Sequence, residues 1–108
     1  MIDIVLQALA EPRRRAILRL IQSAERTSGE IAAQFDVTRP AISQHLQVLA
    51  SAGLVSVRRE GTRRLYSARP EGLAELRAFL DEFWDERLLL LRQAAEAEQR
   101  RLDDQASE

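Results

Sequence analysis

The sequence predicts a mainly α-helical domain that carries one small β-hairpin. Apolar residues recur at helical spacing over most of the chain, as they do over residues 12–24. Two short runs that mix arginine with apolar residues, LVSVRR (54–59) and RRLYSA (63–68), flank Glu60-Gly61-Thr62, which is typical of strands joined by a tight loop. Helical periodicity then resumes at Pro70 and continues almost to the end of the chain.

Three helices are predicted before residue 38. We expect helices over residues 3–10 and 12–24, and a third helix that runs to about Phe35. Thr27 or Ser28 is expected to cap the third helix, because a hydroxyl side chain can accept a hydrogen bond from an unpaired amide of the first turn.

The fourth helix, predicted over about residues 38–52, has an apolar side and a polar side. Thr38 is expected to cap it, and Gly53 stands where a left-handed residue ends a helix. Three aliphatic residues at i, i+4 and i+7 form the inward face, namely Ile42, Leu46 and Leu49. The outward side chains can hydrogen-bond to base edges or phosphates, and they are Arg39, Ser43, Gln44, His45 and Gln47.

A hairpin, predicted over about residues 54–68, follows this helix. Its strands are expected at Leu54 to Arg59 and at Arg63 to Ala68. Four arginines flank its loop and are expected to contact phosphates, namely Arg58, Arg59, Arg63 and Arg64. The alternative is a solvated basic hairpin.

The final helix, predicted over about residues 70–100, carries two apolar stripes. One stripe follows a heptad spacing, interrupted only by a polar Arg87; it consists of Leu73, Leu76, Leu80, Phe83, Arg87, Leu90, Ala94 and Ala97. The second, adjacent stripe consists of Trp84, Leu88, Leu91 and Ala95. One stripe can pack on the chain's own core and the other on a partner; the alternative is a single broad intrachain face. We expect the chain to fray from about Arg101.

Composition restricts the function further. The 108 residues are expected to form one domain, 1–108, and no stretch approaches the roughly 18 apolar residues of a membrane span. The start of the chain lacks the charge order of a secretory signal, so we expect a cytoplasmic protein. The net charge of −1 is segregated: residues 37–70 carry +5 and residues 71–108 carry −6. A basic middle and an acidic end would orient the protein on a polyanion such as DNA.

The predicted order of three helices, a turn, a fourth helix, a two-stranded wing and a last helix is that of a winged helix-turn-helix. LAEPRRRAIL (9–18), TSGEIAAQFDVTRPAISQHLQVLASAGLV (27–55) and REGTRRLYS (59–67) resemble the ArsR/SmtB family of bacterial transcriptional repressors. The resemblance covers nearly the whole chain. Its most specific part is the run from Ser43 to Val55, followed by a wing glycine and tyrosine at the right distance.

The resemblance implies a homodimer joined through the first and last helices. The candidate interface residues are Val5, Leu6, Leu9, Phe83, Trp84, Leu88, Leu91 and Ala95. The fourth helix of each subunit would enter the major groove of double-stranded DNA, and each wing would touch the flanking backbone. Two-fold symmetry then places the recognition helices about 34 Å apart and predicts an inverted-repeat operator.

Individual roles follow from side-chain chemistry. Ser43, Gln44 and Gln47 are the candidates for base-edge contact, and the two glutamines favour adenine. Arg39 can reach a guanine or a phosphate, and Thr38 is first a cap and secondarily a DNA contact. His45, the only histidine, is expected to have a buried or phosphate-contacting structural role.

The chain departs from the family pattern where other members bind metal. It has no cysteine, and residues 70–108 have no histidine, so neither the third-helix nor the final-helix metal site is expected. A solvated acidic face is the favoured interpretation of Asp81, Glu82, Asp85 and Glu86. We therefore expect no cofactor and no metal, with constitutive repression or release by an organic ligand or a partner protein.

The sequence disfavours two other function classes. A winged helix used only for protein interaction would leave the polar face of the fourth helix and the four wing arginines unexplained. An enzyme is not expected, because Ser43 and His45 lie about 200° apart around one helix and cannot form a dyad. The four glycines are isolated, so no phosphate-cradling loop is present.

Overall fold

The computed structural model describes residues 2–106, and this part of the chain contains five α-helices and one antiparallel hairpin. The elements are α1 (Ile2–Leu9), α2 (Pro12–Ser23), α3 (Ser28–Phe35), α4 (Arg39–Ser51), β1 (Val55–Glu60), β2 (Arg63–Ala68), a 3₁₀ turn (Pro70–Leu73) and α5 (Ala74–Ala106). This order confirms the predicted mainly α fold with a small hairpin. The chain divides into two compact units, the first ending at Leu76 and the second beginning at Arg77.

Two arginine side chains donate hydrogen bonds to backbone carbonyl groups at the end of α1. Arg14 Nε donates a hydrogen bond to the Ala8 carbonyl oxygen (2.6 Å), and Arg15 Nη1 donates to that of Leu9 (2.7 Å). Glu11 caps α2 by accepting a hydrogen bond from the Arg14 amide (3.0 Å). These bonds satisfy carbonyl and amide groups that a helix end leaves unpaired. Arg14 therefore has a structural role.

Three capping residues, Thr27, Asp36 and Thr38, define both ends of α3 and the start of α4. Thr27 and Glu30 form a reciprocal capping box at the start of α3, with Thr27 N donating to Glu30 Oε1 at 2.9 Å. Asp36 ends α3 in the left-handed conformation (φ 55°), which aspartate tolerates better than most non-glycine residues. Thr38 then caps α4 through the Ala41 amide, as the sequence predicts.

The core of the first unit lies where α1, α2, α3 and α4 meet. Its fully buried large side chains are Ile17, Ile21, Ile31, Ile42, Leu46, Leu49 and Leu54. The predicted inward face of α4 is thereby confirmed. Val5 is also in this core, with only 4 % of its surface exposed, whereas Leu6 is 45 % exposed. The expectation that Val5 contacts a partner subunit is wrong, because successive helical residues point about 100° apart and Val5 faces inward together with Ala8.

The two strands of the hairpin pair along their whole length and are joined by a two-residue loop. Glu60 pairs with Arg63 across the turn, and Gly61 adopts φ 65°, which favours glycine. The hairpin is attached to the rest of the unit by a backbone bridge between Arg26 and Tyr66, with N···O distances of 3.1 and 2.9 Å in the two directions. Leu65 is buried as part of β2.

The connection after α4 brings two glycines into contact. Gly53 has φ 77°, as predicted for the residue that ends this helix. The 3₁₀ turn returns beside it, and a Cβ atom added to Gly72 would collide with the Gly53 carbonyl oxygen and lie 2.8 Å from its carbonyl carbon. Gly72 therefore allows a backbone approach that no other residue permits.

Helix α5 is longer than expected. The sequence predicts that this helix ends near residue 100 and frays from Arg101, but the helix continues to Ala106. Arg101 pairs with Glu98, and Gln99 Nε2 donates to Asp103 Oδ1 at 2.9 Å, so side-chain pairs support the last turns. Ser107 and Glu108 of the predicted frayed end lie outside the described residues.

Neither apolar stripe of α5 is buried within the described residues beyond Leu76, which itself packs on the core of the first unit. The large exposed side chains are Phe79, Leu80, Phe83, Trp84, Leu88, Leu89, Leu90, Leu91 and Leu102. At 100° per residue, the positions from Phe79 to Leu88 cover an arc of about 180°. The expected division into one intrachain stripe and one partner stripe is therefore not seen in residues 77–106.

Candidate nucleic-acid interface

The outward face of α4 carries the residues predicted to touch DNA. Ser43, Gln44 and Gln47 are exposed, and Arg39 is exposed at the start of the helix. Gln44 lies about 200° around the helix from buried Leu46, so it points directly away from the core. This face presents amide and hydroxyl groups that can bond to base edges.

Ser43 and Gln47 lie towards the hairpin rather than at the centre of the outward face. Together with Arg59 and Arg64 they line a groove of about 640 Å³ between α4 and the hairpin. Val57 and Tyr66 also line this groove. The structure thus brings two predicted residues of α4 together with two predicted arginines of the wing.

A second groove of about 650 Å³ lies beside the first and includes the start of α3. It is lined by Ser43 and Arg64, which both grooves share, and by Arg39, Arg63 and Glu30 among others. Three arginines therefore surround this surface. Such an arrangement of guanidinium groups attracts a phosphodiester chain.

The two faces of the hairpin separate Arg58 from Arg59 and Arg64. Arg59 and Arg64 are directly opposite each other in the strand register and both line the groove on the α4 side. Arg58 precedes Arg59 and so points to the other face. There its guanidinium group bonds to Glu25, with Nε 2.9 Å from Oε2 and Nη2 2.9 Å from Oε1. The structure does not bring Arg58 together with the residues of α4.

Thr38 and His45 lie at the edges of the candidate interface. The Thr38 hydroxyl is exposed but accepts the hydrogen bond that caps α4. His45 is half-buried, and its Nδ1 lies 4.0 Å from Glu11 Oε2. His45 therefore faces the start of α2, which fits the expected structural role better than a direct contact with a base.

Two glutamates near the hairpin are held in their charged form. Hydrogen bonds from the Arg58 side chain keep the pKa of Glu25 below its ordinary value. The pKa of Glu30 is also lowered, first by the hydrogen bond from the Thr27 backbone and then by that from the Thr27 hydroxyl. Their stabilising interactions are complete above the ordinary pKa of a glutamate and are lost as the pH falls through the lowered values.

Sequence reasoning missed Glu25 and Tyr66 as parts of this region. Glu25 lies 33 residues before Arg58, and no local pattern links the two. Tyr66 was noted only as a motif residue, yet it lines both grooves and bridges to Arg26. The alternation of faces along β1 was the one available signal, because it places adjacent Arg58 and Arg59 on opposite sides.

The remaining predicted partner-contact residues differ in exposure. Leu9 packs partly against the core, whereas Trp84 is 53 % and Phe83 is 68 % exposed. Leu88, Leu91 and Ala95 are exposed as well. Apart from Val5 and Leu9, the predicted interface residues therefore form part of the exposed surface.

Within residues 2–106, no three His, Asp or Glu side chains come together in a way that could hold a metal ion. No helix in this part of the chain has the length and apolar character needed to cross a bilayer.

Comparison with known proteins identifies relatives of this arrangement. A family model described as a helix-turn-helix domain matches residues 9–58. The chain is similar to HTH-type transcriptional regulator Rv2034 of Mycobacterium tuberculosis, with 51 % identity over 72 % of this chain and 73 % of that protein. It is also similar to transcriptional repressor SdpR of Bacillus subtilis, with 40 % identity over 58 % of this chain and 70 % of that protein.

The fold is also found among solved structures. One is the solution structure of Mb0332 from Mycobacterium bovis, described as the homodimeric winged helix-turn-helix DNA-binding domain of a possible ArsR-family transcriptional regulator. It is 40 % identical to this chain, covers 81 % of each chain and superposes with a TM-score of 0.64.

Proposed function

This chain belongs to the ArsR/SmtB family of winged helix-turn-helix transcriptional regulators, and from this membership we propose that it is a homodimeric repressor of an inverted-repeat operator. Its relatives are DNA-binding regulators and not enzymes. We further propose that it acts in the cytoplasm and that the winged helix and the final helix serve one functional domain over residues 1–108.

The observation that carries the proposal is the surface that α4 and the hairpin form together, with its exposed amide and guanidinium groups. Exposed Gln44 and Gln47 supply the paired donor and acceptor that adenine requires in the major groove. Arg59 and Arg64 line the same groove as Gln47, and their guanidinium groups make no hydrogen bond or ion pair among residues 2–106. We assign base contact to Ser43, Gln44 and Gln47, and phosphate contact to Arg39, Arg59, Arg63 and Arg64.

The exposed apolar surface of α5 supports the dimeric part of the proposal. Exposed leucine and aromatic side chains occupy about half of the helix circumference between Phe79 and Leu88, and water contact with so large a patch is unfavourable. The homodimeric state of the Mycobacterium bovis relative favours a second copy as the group that covers it. Leu6, exposed on α1, is the proposed contribution of the first helix.

We propose that this regulator has no metal trigger. Its lack of cysteine and its single histidine, His45, leave no imidazole or thiolate set for zinc or copper. His45 is adjacent to Glu11 in the first unit. Repression is therefore constitutive or is relieved by an organic ligand or a partner protein.

The recognition helix is tested by replacing Gln44 with Ala. Loss of a bidentate base contact should reduce the free energy of operator binding by about 1–3 kcal/mol and relax sequence preference at one operator position. The measurement is a gel shift with the DNA upstream of the chain's own gene, compared with random DNA of equal length. Equal losses on the two DNAs would contradict the assignment of Gln44 to a base.

Arg64→Gln is the matched control for that experiment. Because a phosphate contact carries no sequence information, this variant should bind operator and random DNA more weakly by the same factor. It should also lower the slope of log affinity against log salt by about one.

A further inference from the structure

We propose that Arg58 is a positioning residue that holds the wing through Glu25 and does not contact DNA. This inference rests on the proposed function, because it concerns how the wing is presented to the DNA backbone. It also reverses the expectation that all four wing arginines bind phosphates.

The first support is the geometry of the pair. Arg58 Nε lies 3.0 and 2.9 Å from the two carboxylate oxygens of Glu25, and Nη2 lies 2.9 Å from Oε1. Arg58 Nη2 also lies 3.1 Å from Glu60 Oε2. A fork of this kind fixes both the distance and the orientation of the guanidinium plane. Its charge is already matched by two carboxylates, so a phosphate would have to displace them.

The second support is the side of the hairpin on which Arg58 lies. Its cross-strand partner is Leu65, which is buried, and directly opposed residues point to the same face. Arg59 and its partner Arg64 line the groove next to α4 on the opposite face. A phosphate that contacts Arg59 and Arg64 therefore lies across the hairpin from Arg58.

The third support is what Glu25 is attached to. Its neighbour Arg26 pairs with Tyr66 through two backbone hydrogen bonds, which ties β2 to the connection between α2 and α3. Thr27, the next residue, caps α3. The Arg58–Glu25 pair ties β1 to the same connection, so the two strands are held at the same place by different bonds.

The consequence for DNA binding follows from the marginal stability of a two-stranded hairpin. A hairpin held on one strand only can twist relative to α4, because two strands alone bury little apolar surface. Loss of the Arg58–Glu25 pair should therefore misplace Arg59 and Arg64 without removing a phosphate contact. An exposed ion pair supports an effect of about two- to fivefold on affinity.

The test uses Arg58→Gln, Glu25→Gln and the double variant in the full chain, with Arg64→Gln as the comparison. The readout is DNA affinity over a salt series, with thermal melting to establish that each variant folds. We expect each single variant to lose about two- to fivefold in affinity and the double variant to lose no more than either. The salt slope should be unchanged for all three, while Arg64→Gln should lower it by about one.

Two results would overturn the proposal. A fall in the salt slope for Arg58→Gln equal to that of Arg64→Gln would show that Arg58 neutralises a phosphate. A gain in affinity for Glu25→Gln would show that Glu25 only withholds Arg58 from DNA, because that variant keeps the arginine and removes a negative charge.

A charge exchange distinguishes positioning from simple loss of stability. The exchange is made in a Glu60→Gln background, because Arg58→Glu would otherwise place two carboxylates together. In that background the pair Arg58→Glu with Glu25→Arg keeps the ion pair in reverse, so it should recover affinity that Arg58→Glu alone loses; failure to recover contradicts the proposal. Salt slopes can also be measured on random DNA. If the unmodified chain binds operator and random DNA equally, the proposed function is refuted. The salt slopes on random DNA would still show whether Arg58 contacts a phosphate.

Discussion

Replacing Leu88 with Glu is expected to dissociate the dimer and remove high-affinity operator binding. Leu88 is 54 % exposed on α5 and belongs to the apolar surface that we assign to the second copy. Burial of one leucine contributes about 2 kcal/mol, and a two-fold interface contains it twice. The lost free energy is therefore about 4 kcal/mol, which corresponds to about a thousandfold in the dimer dissociation constant.

The measurement is sedimentation equilibrium over a concentration series, followed by a gel shift of the same samples. Leu88→Met is the control, because it keeps the volume and apolar character of the side chain and should remain dimeric. The helical signal of the first unit should persist in the Glu variant, since the core of that unit contains no residue of the range 77–106. If the Leu88→Glu protein is dimeric at the same concentrations as the unmodified chain, the assignment of α5 to the dimer interface is contradicted.

Replacing Gly72 with Ala is expected to have the largest effect on stability. The new methyl group would collide with the backbone carbonyl of Gly53, which cannot move aside as a flexible side chain could. Overpacking of this kind typically reduces the free energy of unfolding by about 3 kcal/mol, and for a domain of this size the melting temperature should fall by more than about 10 °C.

Gly29→Ala is the matched control for Gly72. A Cβ atom at Gly29 would meet only the Arg39 side chain at an ordinary 3.5 Å, and alanine is the better helix former. Its melting temperature should therefore be unchanged or higher. Thermal unfolding followed by circular dichroism measures both variants. Similar melting temperatures for Gly72→Ala and the unmodified chain would show that Gly72 does not pack against Gly53 as described.

Local signals in the sequence were sufficient for the helix-turn-helix and the wing. Thr38 was identified as a cap from its hydroxyl and its position, and Ile42 and Leu46 as inward residues from their spacing. Gly61 marked the hairpin turn because a tight turn needs a positive φ. Each of these predictions depends on residues within one or two turns of each other.

The orientation of α1 could not be predicted in the same way. Ile4, Val5 and Leu6 are consecutive and apolar, so periodicity does not say which of them faces the core. Only packing against α2 and α4 makes that choice, and it buries Val5 and leaves Ile4 and Leu6 exposed.

The role of Arg58 and the length of α5 depended on interactions that composition does not reveal. Arg58 has the same charge as Arg59, and the alternation of faces along β1 separates them, but only the tertiary position of Glu25 gives Arg58 its partner. At the end of α5, pairs such as Arg101 with Glu98 support turns that were expected to fray. In both cases a side chain of opposite charge, rather than an apolar pattern, determined the outcome.

Selection of binding sites from a random duplex library is the most direct test of the central claim that two copies of α4 and its wing bind two half-sites. The unmodified chain should enrich an inverted repeat whose half-site centres are about 10 base pairs apart, because a two-fold dimer places its recognition helices one DNA turn apart. Enrichment of a single unpaired site, or no enrichment over the starting library, would contradict the account.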